Sequence, residues 1–225
     1  FLRAVDCAML IMIGDIIDGC QLHNSDDKWN SSHSALFRVI MKMMENHATE
    51  VIYVSGNHDD FLDPIVPSKL FNISFVSEYI IREEKHSYVV IHGHAFDSIT
   101  ARFRWISRLG DIGYNLLLKF NNMWNRARMR HGKEYYSFSK VIKHKVKQAV
   151  SLISGFESDL ESFARARGCD GIICGHIHNP EDKMLKGGIH YLNSGDWVES
   201  LSALVEDFDG NWSILRYNDF VKPQP

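Results

Sequence analysis

The sequence predicts an α/β fold carrying a helical insertion. Continuous apolar, β-branched runs over Met9–Ile13, Val51–Val54, Tyr88–Ile91 and 171–174 read as buried strands. Between the first two runs lies a segment of helical period. Residues 98 to 165 hold no Pro and few strand signals, but many helix formers.

The elements follow in order. After the first run, Ser34–His47 places Ala35, Leu36, Val39, Ile40, Met43 and Met44 close to a helical period. The strand 51–54 follows at once, and Pro64 and Pro67 then break the chain. Phe71–Ile81, part alternating and part continuous in apolar character, is expected to be a strand. This rhythm argues for a sheet covered by helices. In the insertion, Ile106, Leu109, Leu116, Leu117, Phe120 and Met123 form one stripe, and Ile142, Val146, Ala149, Val150, Ile153, Phe156, Leu160 and Phe163 another. These predict two long helices about a turn near His131-Gly132, with Gly168 as the stop. Strand character returns at 171–174, Ile189–Leu192, Ser202–Val205 and Ser213–Arg216, with Asp209-Gly210 as a hairpin turn between the last two.

A chain of 225 residues with 45% apolar content suits one large α/β domain, or a domain with an insertion. The net charge of −3 does not by itself favour a polyanion, and no nucleic acid is expected as a partner. The charge is unevenly spread. Residues 100–150 carry twelve Lys and Arg against Asp111 and Glu134. Such a block marks an anionic partner, or else a solvated helix face. The four cysteines form no C-x-x-C pair; Cys7 and Cys174 sit at or within apolar runs and read as buried thiols. No run is long enough to span a bilayer. With no signal peptide visible, a reducing cytoplasm is the expected compartment.

The chemistry is concentrated where strands run out. GDIIDG at 14–19, GNHDD at 56–60, HGH at 92–94 and GHIH at 175–178 each end or follow an apolar run. Asp, Asn and His are ligands for hard or borderline divalent metals. A lone Asp after a strand is usually a cap, and a lone His usually structural. Four such loops in this order, with His176 and His178 two apart behind Gly175, predict a metal site.

These blocks resemble the calcineurin-like metallophosphoesterase superfamily, whose pattern is D-x-H, GD-x-x-D, GNH-[DE], H and GH-x-H. The likeness extends to the UDP-2,3-diacylglucosamine pyrophosphatase group and its GNHD paralogues through Trp29, His33, the stretches 56–61 and 92–97, the segment 102–163 and the ending 191–200. It implies a four-layer α-β-β-α sandwich, with a core over 1–97 and 156–225 and a helical lid over 98–155. Two divalent ions are implied, Mn²⁺ first, with Fe, Zn or Mg as alternatives. Asp15 resembles the carboxylate shared by both ions, Asn57, His92 and His176 the ligands of one, and His178 a ligand of the other.

His58 resembles the catalytic residue that faces phosphate, with Asp59 expected to orient or charge its ring. Asp18 is expected to hydrogen-bond around the site. Arg126, Arg128 and Arg130 of the lid, and Asn193 beside the site, are expected to bind substrate.

The family's D-x-H does not appear. Phe1–Val5 reads as the tail of a helix that would follow that strand, and the expectation is that the sequence starts late. The implied activity is hydrolysis of a phosphorus–oxygen bond. The expected substrate is a nucleotide-diphospho lipid such as UDP-2,3-diacylglucosamine of lipid A biosynthesis, with peripheral contact to an anionic inner membrane. The alternatives are a broader phosphodiesterase or phosphatase, and a binding module that keeps one metal or none.

Overall fold

The structure is a computed structural model that describes residues 1–19, 29, 31–83, 86–96 and 155–221. The chain divides into two compact units, Phe1–His94 with Glu161–Pro225, and Ala95–Leu160. Within the second unit, Phe96 and Phe156 meet edge to face at 6.1 Å between ring centres. The expected lid over 98–155, with Arg126, Arg128 and Arg130, lies almost wholly outside the described residues.

In the first unit, β1 (Met9–Ile13), β2 (Glu50–Val54), β4 (Ile73–Val76) and β3 (Ser68–Leu70) form one mixed sheet in that order. A second sheet runs β5 (Glu78–Arg82), β6 (Ser87–Ile91), β7 (Gly171–Cys174), β9 (His190–Asn193) and β8 (Glu181–Met184). A hairpin of β10 (Ser202–Glu206) and β11 (Trp212–Arg216) completes the strands.

Burial explains the layers. One face of the first sheet packs Met12, Val51 and Tyr53 on Ile40 of α1 (Ser31–His47). The opposite face brings Ile52 and Val54 against Ile81, Tyr88, Val90, Ile173 and Leu192 of the second sheet. β2 is therefore apolar at successive positions because both of its faces are covered. Val51, Ile52 and Val54 are fully buried, each worth roughly 1.5–3 kcal/mol relative to exposure. Against the second sheet, residues 161–166 are helical. From Glu161 onward they are tied to it by Glu161, which accepts from the Gly187 amide, and by Arg167, which forks onto Glu78 at 2.6 and 2.9 Å. These are the four layers of the expected sandwich.

Several elements depart from the sequence reading. Phe71–Ile81 is not one strand: it breaks at Ser77, with β4 parallel to β2 in one sheet and β5 antiparallel to β6 in the other. Apolar content alone could not show this, because both halves are partly or wholly buried. β3 and β8 went unread. Each lies at a sheet edge, and the polar Glu181–Met184 has no apolar run to detect. Phe1–Val5 yields only a 3₁₀ turn, Leu2–Ala4. Gly168 does end the helix that precedes it, at φ +65°. The last hairpin turns through 207–211, where Asp207 accepts from the amides of Asp209 and Asn211 and Gly210 takes φ +83°.

At the end of β10, the Glu206 carboxyl is pushed up to about 7 by burial, then by the charge of Glu83 and a hydrogen bond with it. A folded-state value above the ordinary 4.5 means that the protonated carboxyl favours the fold. That contribution is full below about pH 4.5 and is lost as pH rises through about 7. Glu206→Gln should therefore flatten the fall in Tm between pH 5 and pH 8. Thermal unfolding at both pH values checks this, and an unchanged slope would refute it.

Candidate metal centre

The parallel pairs β1–β2 and β6–β7 send their carboxyl ends into loops that meet. Ile13 stands opposite Val54, and Val90 opposite Ile173, so GDIIDG and GNHDD emerge side by side, as do HGH and GHIH. Asp15, His92 and His176 each offer one ligand atom, and the three atoms lie within 4.8 Å of one another. His92 and His176 are buried; Asp15 is half-buried. Asp15 Oδ2 stands 3.2 Å from His92 Nε2, which is 3.1 Å from His176 Nδ1.

The local backbone is shaped for this approach. A Cβ on Gly14 would fall 2.5 Å from His92 Nδ1, and one on Gly56 would fall 2.2 Å from Asp15 Oδ1. Both positions therefore require glycine. Asp15 (φ +53°), His176 (φ +61°) and His178 (φ +57°) are left-handed without being glycine. Each such residue costs about 1–3 kcal/mol, and such strain clusters at functional sites.

The electrostatics favour a cation. His92 Nδ1 lies 2.8 Å from the Ile13 carbonyl, which can only accept. That contact places the proton on Nδ1 and leaves Nε2 as the ligand atom, the usual arrangement for a metal-binding histidine. Burial opposes ionisation of Asp15, but the hydrogen bond and charge of His92, then the His58 amide and ring, bring its carboxyl down to about 2. Burial likewise works against the His92 imidazolium, and the Asp15 bond, the Ile13 carbonyl and the charges of Asp15 and Asp59 outweigh it and raise its pKa. The carboxylate and imidazole donors suit a divalent ion of hard or borderline character.

The other predicted residues fall in different places. Asn57 is exposed at the head of the GNHDD turn. His178 does not join the three; its Nδ1 lies 3.5 Å from Asp196 Oδ2. The ionised Asp196 is held by amides of the 198–200 turn and by the Ser200 hydroxyl.

Two expectations give way. Asp59 does not orient His58. It is fully buried, and its oxygens accept from the amides of Asp15 (2.6 Å), Gly56 (3.0 Å) and Ile17 (3.4 Å) and from the Tyr53 hydroxyl (2.7 Å). Asp18 takes the orienting role, with Oδ1 at 3.2 Å from His58 Nδ1. Its spacing after Asp15 in GDIIDG was the available signal.

Asn193 is not free to meet substrate. Its side-chain amide donates to the Gly175 carbonyl (2.8 Å) and lies 3.0 Å from the Tyr191 hydroxyl, while its Oδ1 accepts from the Gly195 amide (2.9 Å). A fully buried amide spent in this way clamps the GHIH loop to the strand beside it.

The family profile "Calcineurin-like phosphoesterase" matches residues 1–180, most of the chain. The chain belongs to the calcineurin-like phosphoesterase family. Distant solved structures match at low similarity. "Structural and Functional Characterization of a Novel Archaeal Phosphodiesterase" is 10% identical over 79% of this chain and 74% of its own, with TM-score 0.33. A predicted phosphoesterase of Streptococcus pneumoniae is 13% identical over 96% and 84%, with TM-score 0.35. Wild-type Vps29 complexed with Zn²⁺ from Entamoeba histolytica is 14% identical over 92% and 96%, with TM-score 0.32. Likenesses this distant carry no functional argument. No curated protein matches the chain.

Within this family member, Gly56→Ala should separate the two carboxylate-bearing loops. We expect destabilisation of about 1–3 kcal/mol, the usual cost of overpacking, and a weakened metal affinity. Gly155→Ala, whose added Cβ meets nothing within 4 Å, is the control. Chemical denaturation and Mn²⁺ titration of both variants measure the difference; equal behaviour would refute the requirement for close approach.

Proposed function

We propose that this chain hydrolyses a phosphorus–oxygen bond at a divalent metal held by Asp15, His92 and His176. The convergence of those three ligand atoms at the ends of two parallel strand pairs carries the reading. Asn57 and His178 complete the proposed set, Asn57 beside the three and His178 toward a second ion. When bound, a divalent ion supplies Lewis acidity: it polarises the phosphoryl group and activates water.

The chain's own residues divide the remaining work. Asp15 Oδ1 accepts from the His58 amide at 2.9 Å, so the carboxylate that faces the histidines also fixes the start of the GNHDD turn. His58 is placed by that bond, and Asp18 holds its Nδ1 proton. Nε2 is then the ring atom left to face the phosphoryl group, where a donated proton would serve the departing oxygen. Tyr53 and Asp59 do no chemistry; they hold the loops in register.

For substrate, we propose a nucleotide-diphospho lipid, with UDP-2,3-diacylglucosamine as the first candidate. Two features support it: the resemblance of 56–61, 92–97 and 191–200 to that group, and the basic, aromatic-bearing segment 100–150. Arg126, Arg128 and Arg130 are the proposed contacts to diphosphate, or to an anionic membrane surface. Among the described residues, no helix is long and apolar enough to cross a membrane. A cytoplasmic, peripheral location and Mn²⁺ as the metal belong to the same proposal.

Metal analysis joined to a substrate panel tests both levels. His92→Ala should strip the metal. His58→Ala should keep it, while turnover falls about 10²–10⁴-fold. Retained turnover in His58→Ala, or loss of its metal, would overturn the assigned role. Hydrolysis of an aryl phosphodiester or monoester without hydrolysis of UDP-diacylglucosamine would keep the phosphoesterase and discard the lipid.

A further inference from the structure

The Asp59 carboxylate draws on four donors, and three of them are backbone amides of the two loops it joins. Those amides move with the loops, so they cannot locate the carboxylate relative to the sheet. The fourth donor, the Tyr53 hydroxyl, comes from β2 and is fixed by the core. Tyr53 is almost fully buried, packs among Met12, Ile40, Val51 and Leu62, and lies against Phe75 at 5.6 Å between ring centres.

Through Asp59 this hydroxyl is tied to the GDIIDG loop at the amides of Asp15 and Ile17. The Asp15 amide sits on Asp59 Oδ2 at 2.6 Å, and Asp15 itself is strained at φ +53°. A left-handed aspartate persists only where its surroundings over-determine it.

We infer that Tyr53 is a positioning residue for the metal centre: its hydroxyl, acting through Asp59, sets where the Asp15 carboxylate stands relative to His92 and His176. This rests on the metal reading proposed above. Tyr53 touches neither ligand atoms nor substrate, and the motifs at 14–19 and 56–60 do not include it. Its chemistry is that of an outer-shell partner, whose loss typically lowers metal affinity about 10–100-fold.

The test is Mn²⁺ binding by calorimetry on metal-free full-length protein, with circular dichroism confirming the fold. Tyr53→Phe keeps the ring and removes only the hydroxyl; its Kd for Mn²⁺ should rise about 10–100-fold. Phe75→Leu disturbs the packing of the same ring and leaves the hydroxyl in place. It should lower Tm while binding Mn²⁺ as wild type does. A wild-type Kd in Tyr53→Phe, or an equal loss in Phe75→Leu, overturns the inference. Should Tyr53→Phe fail to fold, Asp59→Asn decides: a Kd within about threefold of wild type overturns it, and a rise of about tenfold or more supports it. Wild-type protein that binds no Mn²⁺ would remove the metal reading and this inference together, whereas wild-type binding with an indifferent Tyr53→Phe removes the inference alone.

Discussion

The arrangement at the head of the sandwich depends on one buried carboxylate. Asp59 has no exposed surface, and four neutral donors surround its two oxygens. Burying an ion is costly unless its lone pairs are filled, and here each oxygen has two partners. Those partners lie in different parts of the chain: the loop after β1, the loop after β2 and the strand β2 itself. Satisfying the charge and fixing the geometry are therefore the same event. If either loop withdrew, a buried oxygen would lose its partner, at a cost of about 1–3 kcal/mol or more for a charged group.

Two glycines make that event possible. Gly14 and Gly56 let the loops approach to distances that a methyl group would forbid. The close approach in turn sets the Asp15 carboxylate between the His58 amide on one side and the imidazole of His92 on the other. The strain at Asp15, His176 and His178 is sustained by sheets whose apolar cores are tightly closed around them. Reactive geometry and rigid packing are thus adjacent. A phosphoesterase needs that adjacency, because ligands that drift by an ångström lose both the ion and the alignment of the acid.

Much of this was legible in the sequence because strand ends leave strong marks. Apolar runs followed by Gly-Asp, Gly-Asn-His or Gly-His-x-His locate the loops without any coordinates. The resemblance implied Asp15, Asn57, His92 and His176 as ligands, and the structure brings Asp15, His92 and His176 together. The role of Asp59 was misread because adjacency in sequence suggested adjacency in function. Asp59 follows His58 directly, yet its side chain turns into the core while Asp18, from the other loop, meets the imidazole. Asn193 was misread for a similar reason: a polar residue near a site loop looks available until its amide is seen to be spent on backbone partners. Tyr53 left no mark at all, since an aromatic residue within a strand reads as core, and core it is.

The sequence by itself determined the fold class, the family and the loops where the chemistry gathers. The fold class and the loops follow from local signals, side-chain period, glycine at tight turns and the ligand chemistry of Asp, Asn and His; the family follows from the resemblance of the four motifs in their order. The tertiary structure alone decided that the run around Ser77 divides between two sheets, that polar Glu181–Met184 closes a sheet edge, and which acid serves which loop. Strand partnership is set by pairing with distant residues, and a carboxylate's task is set by the donors that reach it across space. Neither the strand partners nor the donors are neighbours in the chain: Asp59 and the amide of Asp15 lie 44 residues apart and 2.6 Å from each other.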